Sequence, residues 1–208
     1  MKLILCDLNK NMIDAWKIYF RNMSEIEIIH DSIFNIKSDA IVSPANSYGF
    51  MDGGLDLQIS KFFGWHVQER LQKIIKEKYH GELLIGCAEI IETGHKDIPY
   101  VISAPTMRVP MILRDSVNIY LATRAIIILV KNGTLPEGTS INQKVKKIAI
   151  PGMGTGVGRV SYEICALQMK TAVNDYFYDK YTFPKSWYEA QQKHQILYGR
   201  KPRDLQFR

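Results

Sequence analysis

The sequence predicts an α/β fold built on a largely parallel sheet. Three observations carry this expectation. Short apolar runs that read as strands alternate along the chain with segments whose apolar residues recur at helical spacing. The run at residues 39–43 is short and apolar without polar alternation, as a strand buried on both faces should be. The chain has 208 residues, 46% of them hydrophobic, which suffices for one well-buried core without disulfide or metal staples.

Each element follows from its own local pattern. Residues 2–6 read as a first strand. Asn9 or Asn11 caps a helix with apolar Met12, Trp16, Tyr19, Phe20 and Met23 at i, i+4, i+7, i+8 and i+11. Residues 25–29 form a second strand and residues 39–43 a third, ended by Pro44. Helices are expected over residues 55–63 and 67–79. Residues 84–92 and 100–104 read as a strand pair joined by a loop containing Gly94 and Pro99. Asp115 or Ser116 is expected to cap a helix running to Lys131 that turns Val117, Leu121, Ala125 and Ile128 to one face; Asn132 and Gly133 stop it. Residues 147–150 form another strand. A glycine loop then leads to a helix over residues 161–179 that buries Cys165, Met169, Ala172 and Tyr176. A last helix is expected over residues 185–197. The expected division is a main domain, residues 1–180, and a basic helical extension, residues 181–208.

Composition excludes several classes. With 23% charged residues and a net charge of +6, the chain is neither disordered nor coiled coil. No run approaches the ~18 apolar residues of a membrane helix, and the first residues lack signal-peptide regions. A soluble cytoplasmic protein with no membrane partner is expected. Cys6, Cys87 and Cys165 are scattered, which argues against a disulfide framework or a zinc site; Cys87 and Cys165 lie on apolar patterns and should be buried. From Lys180 onward, Lys180, Lys185, Lys193, Arg200, Lys201, Arg203 and Arg208 outnumber Glu189 and Asp204. This tail holds most of the net charge. It reads as a solvated terminus, with a weak nucleic-acid contact as the alternative.

In open α/β sheets ligands bind beyond the carboxyl ends of the strands, so the loops after buried strands matter most. One such loop, residues 43–56, crowds Asn46, Asp52 and Asp56 around Gly49, Gly53 and Gly54. Gly53 and Gly54 stand ahead of a helix, where a ligand can meet bare N–H groups and the helix dipole. The other, residues 150–159, has glycine at 152, 154, 156 and 158. It matches neither the G-x-G-x-x-G dinucleotide fingerprint nor a P-loop, but its backbone can wrap a pyrophosphate.

Taken together and in order, the stretch from Asp39 through Asn46, the run Gly53-Gly-Leu-Asp56, and the run from Ile148 through Gly156 resemble the macro domain, an ADP-ribose-binding module with a three-layer α/β/α sandwich and a mixed, largely parallel central sheet. The resemblance covers most of the chain. It implies that Asp31, followed by Ser32, accepts from the adenine amino group. It implies that Asn46, next to Ala45, contacts the distal ribose and that Asp56 activates water in hydrolytic members. Gly53 and Gly54 would form one phosphate loop, and Gly154, Thr155, Gly156, Val157 and Gly158 the other. Neither a metal nor a cofactor is implied. The chain departs from the family pattern at three places. Ser43 replaces a frequent Asn, Asp52 a frequent Gly, and Gly158 a frequent Tyr or Phe beside the distal ribose. Tyr48 or Phe50 could supply that aromatic surface.

The resulting expectation is a protein that binds ADP-ribose or a derivative and hydrolyses an adduct of it: protein-linked, nucleic-acid-linked, O-acetyl or 1″-phosphate. The alternative is a reader that binds ADP-ribose without turnover. Outside the two loops, His66 and His95 show no carboxylate partner by spacing and read as structural. Arg108, after another strand end, either reaches a phosphate or belongs to an ordinary surface loop. Phe62, Phe63 and Trp65 read as core.

Overall fold

One-residue alternation sorts the strand side chains onto two faces. In the computed structural model, which describes residues 1–199, β1 (Lys2–Cys6) sends Leu3 and Leu5 into one core and Ile4 and Cys6 into another. β2 (Ile26–Ile29), β3 (Ala40–Ser43), β4 (Glu89–Glu92), β5 (Tyr100–Ser103) and β6 (Lys147–Ile150) complete the sheet. Its order is β2-β1-β6-β3-β5-β4, parallel throughout except for the β5–β4 hairpin.

Helices cover both faces. α1 (Lys10–Tyr19), α4 (Asn118–Asn132), α5 (Ile141–Lys144) and α6 (Tyr162–Ala172) pack on the face carrying Leu3, Val42, Ile102 and Ile150. α2 (Gly54–Phe63) and α3 (His66–Lys78) pack on Ile4, Ile41, Val101 and Ala149. The three-layer α/β/α sandwich with a mixed, mostly parallel sheet is the one the sequence implied. Because the five parallel strands point the same way, their carboxyl ends share one edge of the sandwich.

α7 (Trp187–Gln195) is followed by a segment tied to α6, where buried Gln168 donates to the Leu197 carbonyl at 3.2 Å and Leu197 is itself buried. Arg200, Lys201, Arg203, Asp204 and Arg208 of the basic tail lie outside the described residues. Among the described residues no helix is long and apolar enough to cross a membrane.

The local departures have identifiable causes. The strand expected from residue 84 begins at Glu89, because Gly86 at φ 93° and the Cys87 N–H to Leu84 carbonyl bond make a turn. Leu84 is consequently exposed and Cys87 only half-buried. Neither Asp115 nor Ser116 caps α4. Asp115 sits at φ 50°, and the cap comes from Gln168, which accepts from the Tyr120 N–H (3.1 Å) and donates to the Ser116 carbonyl (2.7 Å). α4 is apolar almost all round; of the expected face only Ala125 is buried, together with Ile119, Ala122, Ile126, Ile127 and Val130, while Val117, Leu121 and Ile128 are half-buried. Gly133 does end it; a Cβ there would lie 2.5 Å from the Leu129 carbonyl. The helix expected to reach residue 179 passes into a π-helical stretch, Val173–Phe177, that leaves Tyr176 half-buried. Phe62 and Trp65 are exposed rather than core.

Candidate functional site

A cleft of about 630 Å³ opens beyond the carboxyl ends of β2, β1, β6, β3 and β5. Asp31, Ser32, Ala45, Asn46, Gly53, Gly54, Asp56, Gly154, Thr155, Gly156, Val157 and Gly158 all line it. Residues separated by more than 100 positions in sequence thus meet in one space, because β6 pairs between β1 and β3.

Sheet order fixes the sequence of groups across the cleft. Asp31 and Ser32 follow β2 at one end. Asp7 and Leu8 follow β1. The glycine loop follows β6 at the centre, beside the loop from β3 into α2, and Thr106, Met107 and Pro110 follow β5 at the far end. Four interstrand steps of about 4.8 Å give a span of about 19 Å.

The central walls are bare backbone. Gly53 caps α2 without a side-chain bond, so the first N–H groups of that helix face outward unfilled. A Cβ on Gly53, Gly54 or Gly156 would meet nothing within 4 Å. The second loop is held from behind: the Gly152 N–H donates to Asp7 Oδ2 (3.1 Å), Arg159 N–H to the Gly156 carbonyl and Val160 N–H to the Gly154 carbonyl (both 3.1 Å). Among the described residues, the N–H groups of residues 154–158 donate to no protein acceptor. Gly154 requires its glycine, at φ 70°. Gly158 does too, since a Cβ would lie 2.5 Å from the Gly154 carbonyl and 3.0 Å from Leu113. An aromatic at 158 is therefore excluded by packing.

Among the described residues no Lys, Arg or His lines the cleft. An anion there would be held by amide dipoles and the α2 N-terminus. The carboxylates that border the cleft are mostly engaged. Asp7 Oδ1 accepts from the Asn9 N–H at 2.7 Å. Asp31 Oδ1 accepts from Asn35 Nδ2 (2.9 Å) and the Ser32 N–H (2.6 Å), and these bonds hold its carboxyl below the usual range. Asp56 is 9% exposed and accepts a short hydrogen bond from Ser43 Oγ. Burial pushes its pKa up to about 6, against the opposing Ser43 bond, with Asp52 adding to the rise.

Asn46 spends most of its amide on its own loop. Oδ1 accepts from the Tyr48 N–H (3.1 Å) and the Phe50 N–H (3.2 Å), and Nδ2 donates to the Phe50 carbonyl (2.7 Å). That clamp sets Phe50, 53% exposed, at the cleft wall. Tyr48 instead packs under Arg108 and donates to Glu82. Arg108 is gripped by Glu82 at 2.8 and 2.6 Å and is not among the cleft residues. His66 bonds the Thr93 carbonyl, and His95 accepts from the N–H groups of Asp97 and Ile98; both are structural. Cys6 lines the floor, but burial pushes its thiol up to about 12, with Asp7 and Asp31 contributing.

Sequence reasoning missed Asp7, Phe34 and Met107. Asp7 carried a usable signal, being the first residue past a strand already assigned. Phe34 stacks on Phe62 (4.6 Å between centroids), which explains why an exposed Phe62 sits there. Met107 reaches the cleft through a β-bridge to Asn46 that local pattern does not encode.

The chain is thus an α/β/α sandwich with an amide-lined cleft across its strand ends. A family model, Macro domain, matches residues 42–169, more than half of the chain. The chain belongs to the macro domain family. An uncharacterized protein of Aquifex aeolicus is 34% identical over 145 residues, 70% of this chain and 78% of that one. Among solved structures, the Oceanobacillus iheyensis macrodomain with ADP aligns with TM-score 0.59 at 19% identity, covering 72% of this chain and 74% of that one. Thermosipho africanus DarTG in complex with ADP-ribose aligns with TM-score 0.56 at 17% identity, covering 76% and 46%. At such identities these two structures speak to the fold.

Proposed function

We propose that the cleft binds ADP-ribose and that the protein hydrolyses the bond between the distal ribose and an attached group. The observation that carries this reading is the meeting of unfilled amides from residues 53–54 and 154–158 at the centre of one cleft. The diphosphate lies against those amides, the adenine amino group donates to Asp31, and the distal ribose extends toward Asn46, Phe50 and Met107. A span of about 19 Å accommodates an extended nucleoside diphosphate sugar. The family membership and the ADP-ribose in the Thermosipho africanus structure support the same ligand.

Asp56 is the group for the chemistry. A carboxyl with its pKa near 6 is ionised at neutral pH yet more basic than an ordinary aspartate. For a group joined through the anomeric oxygen, it takes a proton from a water that adds to the distal anomeric carbon while the carbon–oxygen bond breaks and the oxygen leaves with the electron pair; for an O-acetyl ester the same water adds to the acyl carbon and the ribose oxygen leaves, taking up a proton. The expected location of this activity is the cytoplasm.

The test is calorimetry with ADP-ribose, followed by a hydrolysis panel of O-acetyl, 1″-phosphate, protein-linked and nucleic-acid-linked ADP-ribose on wild type and Asp56→Ala. Binding with turnover that Asp56→Ala abolishes supports the reading; full turnover by the variant overturns the assignment of Asp56. Binding without turnover favours the reader alternative, which has its own observation: Asn46 is committed to clamping its loop, leaving little of its amide for substrate.

A further inference from the structure

Seven of the thirteen residues at 176–188 are aromatic, against 11% of the chain as a whole. The cleft chemistry makes no use of this run. Tyr176, Phe177 and Tyr178 pack partly against the core. Four others face solvent: Phe183 is 81% exposed, Trp187 64%, Tyr188 48% and Tyr181 45%. Burial does not explain such rings, since each forgoes a large apolar contribution.

The rings are arranged for stacking. The Arg124 guanidinium lies 5.0 Å over Tyr176, and Tyr176 stacks on Tyr181 at 5.5 Å with 21° between planes. Tyr181 presents its exposed surface at the end of this ladder. The charge is also sorted. Asp179 is taken by Lys131, Asp175 by the Tyr120 hydroxyl, and Glu189 by Lys193 and the Lys185 N–H. The Lys180 and Lys185 ammonium groups make no salt bridge among the described residues. The segment therefore combines exposed aromatic rings with cations outside any salt bridge, Lys180 lying 5.6 Å over the Tyr178 ring.

We propose that this segment binds single-stranded nucleic acid, with bases stacking on Tyr181, Phe183, Trp187 and Tyr188 and phosphates meeting Lys180 and Lys185. Every base has a ring face, so such binding is tolerant of sequence and sensitive to salt. An anionic membrane fits less well. A helix lying in a bilayer surface needs a broad apolar stripe, and α7 continues from Trp187 and Tyr188 into Gln191, Gln192, Lys193 and His194. A second copy of the chain would set like charges against each other.

The test uses the full chain and a fluorescein-labelled twelve-nucleotide oligothymidylate or oligouridylate, read by anisotropy at low salt. Binding is expected, with a loss of about tenfold or more in Phe183→Ala/Trp187→Ala and a shallower salt dependence in Lys180→Ala/Lys185→Ala. Unchanged thermal melting shows that both double variants keep their fold, as solvent-facing substitutions should. The proposal is overturned by the absence of binding to either oligomer. It is equally overturned by full binding in the aromatic double variant, or by preferential binding to phosphatidylcholine–phosphatidylserine vesicles. None of these outcomes depends on whether the cleft takes ADP-ribose.

Discussion

The Ser43 hydroxyl donates to Asp56 Oδ1, tying the end of β3 to the first turn of α2. Ser43 is the one side chain that lowers the pKa of this buried carboxyl. The bond fixes the position of the residue on which the proposed chemistry turns.

Burial of Asp56 makes stability depend on pH. The folded pKa, about 6, lies above the ordinary value of 3.8, so the folded state holds the proton more tightly than the unfolded one. The Asp56 contribution is therefore most favourable below about pH 4, falls as pH rises toward and through 6, and is level above, a cost on the order of 3 kcal/mol. Asp56→Asn removes that cost. Its melting temperature should exceed that of wild type at pH 7.5 and match it near pH 4, as measured by calorimetric scans. A variant less stable than wild type at both pH values would contradict the burial argument.

Ser43→Ala should push the Asp56 pKa higher still, because it deletes the one opposing bond. The rising limb of the pH–rate profile, expected near 6 in wild type, should move to higher pH. At neutral pH the variant should lose about 1–3 kcal/mol of stability through an unpaired buried carboxylate oxygen.

Gly156 and Gly158 separate packing from binding. Gly156→Val points into open space and should leave thermal stability within about 0.5 kcal/mol, while weakening ADP-ribose binding at least tenfold by filling the phosphate position. Gly158→Ala places a Cβ against the Gly154 carbonyl and Leu113 and should cost about 1–3 kcal/mol of stability. Melting curves and calorimetric titrations read the two effects separately.

Asn46→Ala should loosen the loop that carries Phe50. Hydrogen exchange at the Tyr48 and Phe50 amides, both donors to Asn46 Oδ1, should speed up in the free protein, and ADP-ribose affinity should fall with it. Unchanged exchange would show that the clamp does not hold the loop.

Arg108→Ala should leave ADP-ribose affinity within about twofold of wild type, because Glu82 already occupies its guanidinium outside the cleft. A large loss would mean that this arginine turns inward when ligand binds.

The layered fold and both glycine loops of the cleft could be read in the sequence because the information is local. Strands such as β6 carry continuous apolar runs, here residues 148–150, and Gly53, Gly54, Gly154 and Gly156 announce backbone that must stay bare. What could not be read depends on distant partners. Gln168 caps α4 from 48 positions away. Leu113 is what forbids a side chain at 158. The commitment of Asn46 to Phe50, and of Arg108 to Glu82, is likewise invisible in composition or spacing. α4 defeated its face assignment because a helix apolar nearly all round has no unique moment.

The most direct test of the central claim is an amide NMR titration of the ¹⁵N-labelled protein with ADP-ribose. The largest shifts should fall on the N–H groups of residues 53–56 and 154–158, with Ser32 following. Shifts confined to other segments, or none at millimolar ADP-ribose, would contradict the account.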